Sequence, residues 1–317
     1  MQTGHAGAAN RLDETMGGAY LHPLARVYVV PSSISVVEGA TCLEHLNRIV
    51  SVETLELPVL GRADGLICKA NGRILDNATI CNLGKQAIIL GNEGTGESTR
   101  VILASGIPWD ENLVVKDADE AISHIILLGK APLRCLAGLG INPKDVGTER
   151  WTEYGNSLIS THRQCENAIQ ILIPSGHCEA FISALIDNGA EHSSLHDWVR
   201  DRILSGLLSH HELNSQNLPF ELGLEEFVAL DKGCYPGQEI HARMESRGAL
   251  ARSLVRLRSD GRIPEGKSKI EAIGSITVTS TCQDDIGDVA LALIPHAAAD
   301  VATLVFENGT VASVESV

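Results

Sequence analysis

The run Lys232-Gly233-Cys234-Tyr235-Pro236-Gly237-Gln238-Glu239, closed by Arg243, gathers a thiol, two cations, two glycines and an acid into a dozen positions. The thiolate is the reactive form of cysteine, and a neighbouring cation or a helix N-terminus stabilises it. Two glycines around Cys-Tyr-Pro predict a tight turn with backbone bends that a Cβ would resist. Gln238 and Glu239 then lead into 240–245, which reads as a helix start, where acids are favoured by the helix dipole. Cys234 is therefore expected on a turn just ahead of a helix, with Lys232 two residues away. Such a thiol can be a nucleophile or a ligand for a metal or cluster; the alternative is a small hydrophobe packed in a turn.

The elements that must hold this run are legible in outline. Residues 24–30 alternate and are β-branched, which predicts a strand. Residues 36–50 carry apolar side chains at helical spacing (Val37, Cys42, Leu43, Leu46, Ile49), with Ser35 as a cap. Residues 65–70 and 74–82 read as two strands joined by Asn71-Gly72, a strong hairpin signal. A short strand is expected at 86–90 and a helix over 94–106. Further strands are expected at 114–115, 122–128 and 169–173, and helices over 131–139, 177–188 and 194–208. This rhythm predicts α+β architecture up to the cysteine run. Beyond it, short strands at 254–257, 275–279, 289–294, 304–306 and 311–314 predict an all-β module.

Composition bounds the rest. The chain has 317 residues, enough for two or three cores, and 44% of them are apolar. A formal charge of −15 argues against nucleic acid as a direct partner, because phosphate binding needs clustered Lys and Arg. The eight cysteines form no Cys-x-x-Cys pair, so neither a disulfide framework nor a zinc ribbon is expected. His192 and His196 lie four apart and His210-His211 adjoin, but no acid or cysteine joins them at ligand spacing, and no metal site is assigned. The glycine-rich Gly91-Asn92-Glu93-Gly94-Thr95-Gly96 lacks the Lys-Ser/Thr of a P-loop and reads as a surface loop. No apolar run reaches the ~20 residues of a membrane helix, so no membrane partner is expected. Residues 1–20 read as a flexible tail without leader character, which makes the expected location cytoplasmic.

The cysteine run resembles the pattern K-G-C-[YF]-x-G-Q-E-x-x-x-R of the YgfZ branch of the folate-binding YgfZ/GcvT superfamily, and Lys232 through Arg243 meets each fixed position. The similarity extends along the chain. Asn71-Gly72-Arg73-Ile74-Leu75-Asp76 is similar to the family's N-terminal hairpin, Asp201-Arg202-Ile203 to Gly206 to its R-I-x-x-G helix, and Pro219-Phe220-Glu221-Leu222 to its P-x-E-L lead-in. Gly274 to Ser280 and Ala290-Leu291-Ala292 resemble strands of its C-terminal barrel.

The resemblance implies an α+β fold: a three-domain, GcvT-like cloverleaf with two α+β domains around a central channel and a C-terminal all-β barrel. The expected limits are 21–110 with about 195–247 for the folate-binding domain, about 111–194 for the second, and 248–317 for the barrel. It implies tetrahydrofolate, or another folate derivative, as cofactor, and iron–sulfur proteins or cluster-assembly factors as partners. The implied role is that of an accessory protein for iron–sulfur cluster assembly or repair, with Cys234 as the functional thiol. Asp76, Arg73, Lys232, Tyr235, Gln238, Glu239 and Arg243 are the candidate cofactor contacts. Asp76 and Glu239 can equally be turn and helix-start acids, and Lys232, Arg73 and Arg243 ordinary surface charges. The alternative is a tetrahydrofolate-dependent aminomethyl or one-carbon transferase. Against it, the adjacent carboxylates of the transferase branch are Asp76-Asn77 here, the acid that holds the pterin there aligns with Leu204, and Asn47-Arg48-Ile49-Val50 departs from the usual T-N-D-V.

Overall fold

The computed structural model describes residues 23–248, 250–283 and 286–317. The expected tail at 1–20 lies outside them. In chain order the elements are β1 (Ala25–Val30), β2 (Ser33–Glu38), α1 (Cys42–Asn47), β3 (Arg62–Cys68), β4 (Ile74–Asn82), β5 (Gln86–Gly91), α2 (Gly96–Ser105), β6 (Val114–Asp117) and β7 (Ile122–Leu128). Then come α3 (Pro132–Gly138), β8 (Thr152–Tyr154), β9 (Ser157–His162), β10 (Cys165–Pro174), α4 (Cys178–Asp187), β11 (Ala190–His192), α5 (Leu195–Leu204) and α6 (Gln238–Arg247). The chain ends in β12 (Arg252–Ser259), β13 (Gly266–Ile270), β14 (Gly274–Gln283), β15 (Asp288–Pro295), β16 (Thr303–Val305) and β17 (Val311–Ser316).

These strands form three sheets, ordered β3-β4-β5-β2-β6, β11-β1-β7-β10-β9-β8 and β13-β14-β15-β12-β17-β16. The third is antiparallel throughout. The first two sheets share the N-terminal chain: β1 pairs with β7 and β11, whereas β2 crosses to pair with β5 and β6. Their outer faces are covered by helices, α1 and α2 on one (Leu46, Leu103) and α3 and α4 on the other (Leu136, Leu185). Between the two sheets lies a core of Ile34, Cys81, Ile88, Leu90, Trp151 and Leu172. Each such aliphatic side chain removed from water contributes about 1.5–3 kcal/mol.

One expected helix, over 36–50, is shortened to α1. Residues 36–38 belong to β2, because Val36 and Val37 are β-branched and pair with Ile88 and Ala87. Gly39, at φ +144°, ends that strand where a Cβ would lie 2.4 Å from Leu113 Cδ2, and the helix shrinks to α1. The hairpin does form as expected, with Gly72 at φ +77°. Helix α5 starts at the expected place, where Ser194 and Asp197 make a capping box, but it stops at Leu204, ahead of Gly206 at φ +70°. No helix among the described residues is long and apolar enough to cross a membrane.

Candidate functional site

The cysteine run is fastened from behind. Lys232 Nζ donates to the carbonyls of Asn47, Val50 and Val52 at 2.7, 2.8 and 2.6 Å, which occupies all three of its N–H bonds at and just after the end of α1. Burial lowers its pKa to about 8. Tyr235 is buried and its hydroxyl donates to His241 Nδ1 at 3.2 Å, while His241 Nε2 donates to the Gly72 carbonyl at 2.8 Å. Burial lowers the His241 pKa, in keeping with the neutral ring this chain of bonds requires. Gln238 Nε2 donates to the Lys232 carbonyl at 3.2 Å. Gly237, at φ +91°, presses on the hairpin turn, where a Cβ would lie 2.7 Å from the Lys69 carbonyl and 2.8 Å from Gly72 Cα. Gly233 needs no such freedom: the nearest atom to a Cβ there is Asn47 Nδ2 at 3.8 Å. What this leaves outward is Cys234, the one exposed cysteine among the described residues.

The remaining sequence candidates do not gather round a ligand site. Arg243 pairs with Glu239 one helical turn away, both well exposed on α6. Arg73 donates to the Gln216 carbonyl at the surface. Asp76 is 1% exposed and tied down: the Asn92 N–H donates to Oδ1 at 2.8 Å, and the hydroxyls of Thr95 and Thr99 lie 2.8 and 2.5 Å from Oδ2. Burial raises its pKa against the effect of these donors. It secures the start of α2 and the loop at Asn92. Leu204 packs toward the third sheet with Val289 and Leu291.

A separate cavity of about 270 Å³ lies where the first two sheets meet α5 and the 207–211 segment. None of the eight residues picked from sequence lines it. Its apolar walls include Leu90, Ile126, Trp198, Val199, Leu207 and Leu208; Ser32, Ser209, His210 and His211 also line it, and its deeper polar groups are Asn77, Asn92, His124, His162 and Gln170. Alternation along β4 explains the first of these: Asp76 faces α2, so Asn77 faces inward. On the opposite sheet, Val30 pairs with His124 and Gln170 with Ile126, which sets all four on one face.

Among the described residues, five buried side-chain atoms have no hydrogen-bond partner, and four of them belong to cavity residues: Asn77 Oδ1, Asn92 Nδ2, His124 Nε2 and Gln170 Oε1. Leaving such an atom without a partner costs about 1–3 kcal/mol, so their concentration in one cavity points to a polar occupant there, water or ligand. Asn77 and His124 are held by their other ends, Nδ2 donating to the Leu90 carbonyl at 3.2 Å and Nδ1 lying 2.8 Å from Ser32 Oγ. Burial lowers His124 to about 3, and burial together with the Arg62 charge lowers His162 to about 4, so both rings are neutral at pH 7. The one Lys or Arg on the wall is Arg202, whose guanidinium is paired with buried Glu212 at 3.3 Å and bonded to Ser280 Oγ at 2.6 Å. The one acid is Glu93, at the rim and half exposed.

His124, Gln170 and Asn92 were missed from sequence, although a signal existed. Ser123-His124 interrupts the apolar run 122–128, and Gln170 interrupts 168–173. A polar residue inside an apolar stretch of strand either is satisfied in the core or faces a cavity.

No protein-family profile matches the chain. It is 25% identical over 228 residues to an aminomethyltransferase of Herpetosiphon aurantiacus, an overlap that covers 69% of this chain and 63% of that protein, just under two thirds of its length. It is 23% identical over 257 residues to the tRNA-modifying protein YgfZ of Serratia proteamaculans, covering 78% and 76%. Among solved structures it is similar to the glycine cleavage system aminomethyltransferase T of Bartonella henselae, with a TM-score of 0.79, 19% identity, and coverage of 93% of this chain and 86% of that one. At that identity the structural likeness is one of fold.

Proposed function

We propose that the chain is a member of the YgfZ/GcvT superfamily, a reading supported by its likeness to an aminomethyltransferase and to a YgfZ protein, that it binds tetrahydrofolate in the cavity between its first two sheets, and that it serves iron–sulfur cluster assembly or repair through Cys234. The unpartnered polar atoms carry the first half of this reading. A reduced pterin presents ring N–H and amino donors beside a carbonyl acceptor. Asn77 Oδ1 and Gln170 Oε1 are acceptors and Asn92 Nδ2 is a donor, so the edge of such a ring finds complementary atoms. Trp198, Ile126 and Leu90 supply flat apolar walls. When bound, the reduced folate supplies nitrogen atoms that carry one-carbon units. The chain's own part is to orient the ring, with Asn77 and His124 held by their second hydrogen bonds, and to keep bulk water from its edge. The three sheets would correspond to three lobes, the third being the barrel-like one.

The exposed thiol supports the second half. Cys234 stands outside the cavity on a loop that Lys232, Tyr235 and Gln238 fasten inward, a position suited to meeting a protein partner or a cluster under assembly. The transferase alternative asks for a free carboxylate beside the ring nitrogens. Asp76 has both oxygens engaged and does not line the cavity, and its neighbour there is the amide Asn77.

The test is tetrahydrofolate calorimetry on the wild type and on Cys234→Ala, together with rescue of cluster-enzyme activity in cells lacking the gene. Equal folate affinity for both proteins, with rescue lost only in Cys234→Ala, is the expected result. A wild type that binds no form of folate would remove the cavity assignment; full rescue by Cys234→Ala would remove the thiol's role.

A further inference from the structure

We infer that the cavity reads the uncharged ring of its ligand and is blind to an anionic tail, so that a bare reduced pterin, a monoglutamyl folate and a polyglutamyl folate bind alike. This rests on the folate reading above and narrows it. The observation is how the cations are used. Three basic residues were candidates from sequence to meet a carboxylate and a fourth, Arg202, lines the cavity; each is otherwise committed. Lys232 is spent on three backbone carbonyls. Arg243 pairs with Glu239, and Arg73 with the Gln216 carbonyl. Arg202, which alone of the four reaches the cavity wall, is charge-compensated by Glu212 with 3% and 0% of the two side chains exposed.

Among the described residues the cavity lining offers an anion no further Lys or Arg; beside Glu93 it has His210 and His211, and burial lowers the pKa of His211. Glu93 stands at the rim with 55% of its side chain exposed, 3.8 Å from His210, in a chain of net charge −15. Each added glutamate would bring a negative charge toward a negative rim, with water and salt screening the penalty. The affinity must then come from the ring: from the four unpartnered atoms and the apolar walls. Such contacts are insensitive to ionic strength, whereas a tail held by cations would be strongly salt-dependent.

The experiment uses the full chain and three probes under anaerobic conditions: 6-methyltetrahydropterin, monoglutamyl tetrahydrofolate and triglutamyl tetrahydrofolate. Dissociation constants are measured by calorimetry in about 50 and about 300 mM salt, on either side of a Debye length of roughly 10 Å. The expected result is agreement among the three within about threefold, changing little with salt. Gln170→Leu, which removes one unpartnered acceptor, should weaken all three by a common factor of about ten, the worth of one well-placed hydrogen bond. A triglutamate that binds tenfold or more tighter, with an advantage that shrinks in salt, overturns tail-blindness and leaves the folate reading standing, as does failure of the bare pterin alone. If none of the three binds, the folate reading itself falls, and this inference with it.

Discussion

His124 and His162 put a pH signature on the native state. Their folded pKa values, about 3 and about 4, lie below the ordinary histidine value because burial disfavours the charged ring. The unfolded chain therefore takes up two protons near pH 6.5 that the native chain refuses. The stability they contribute is present above pH 6.5 and is lost as pH falls toward 4, at up to about 1.4 kcal/mol per pH unit for each ring. Urea unfolding at pH 7, 6 and 5 should show a falling midpoint, and the double variant His124→Gln/His162→Gln a visibly shallower fall. Equal slopes would mean that these rings titrate normally in the native protein. At this scale the sequence pointed one residue away from the cavity. Asp76 drew attention as an acid after a hairpin, yet strand alternation sends it to α2 and sends Asn77 inward. The alternation itself was readable; which face of β4 meets a cavity was not, because that depends on a sheet built partly from strands about 45 to 95 residues further along the chain.

Between elements, the contact of α6 with the β3–β4 turn is where the cysteine run acquires its shape. Gly237→Ala would force φ +91° on a residue with a Cβ and drive that Cβ into the Lys69 carbonyl at 2.7 Å. A cost of about 1–3 kcal/mol is expected from the strain alone, read as a lower urea midpoint. Gly233→Ala, with room around it and an ordinary φ, should stay within about 0.5 kcal/mol of wild type. If the two variants were alike, the asymmetry between these glycines would be wrong. The elements themselves were largely legible, since the Asn-Gly hairpin, the strands at 122–128 and 289–294 and the start of α5 follow from turn chemistry and apolar period. Those that escaped are short or polar, such as β8, β9 and β13 (Gly266–Ile270 reads GKSKI), where pairing with a neighbour rather than intrinsic preference makes the strand. The helix expected over 36–50 lost its first residues for the same reason: Val36 and Val37 suit either period, and pairing with β5 decided.

Across the whole molecule, one buried network ties the third sheet to the rest. Arg202 on α5 pairs with Glu212, and Ser280 on β14 both accepts from Arg202 Nη2 at 2.6 Å and donates to Glu212 Oε1 at 2.5 Å. Glu212→Gln would strand the guanidinium charge in the interior, at a cost of about 3–5 kcal/mol. Ser280→Ala, which removes hydrogen bonds but no charge, should cost nearer 1 kcal/mol. Tryptophan-monitored urea unfolding of both variants checks the ordering, and equal losses would deny the ion pair its place at the junction. Composition and period give α+β followed by all-β; the crossing of β1 and β2 into different sheets is a long-range choice that local patterns do not encode.

The inward fastening of the 232–238 loop has a kinetic side. A reactive group on a floppy loop must be brought to order by whatever meets it, and that ordering is subtracted from affinity. Here Lys232, Tyr235, Gly237 and Gln238 have already immobilised the backbone on either side of Cys234. Under the proposed role, a macromolecule arriving at the thiol would meet a preset fingertip, and encounter would proceed as rigid-body collision, without waiting for the loop to rearrange. The same economy narrows where recognition can diversify. The fastening positions are spoken for, so the freedom to fit one partner rather than another falls to the outward neighbours Pro236, Glu239 and Arg243, all exposed around the tip.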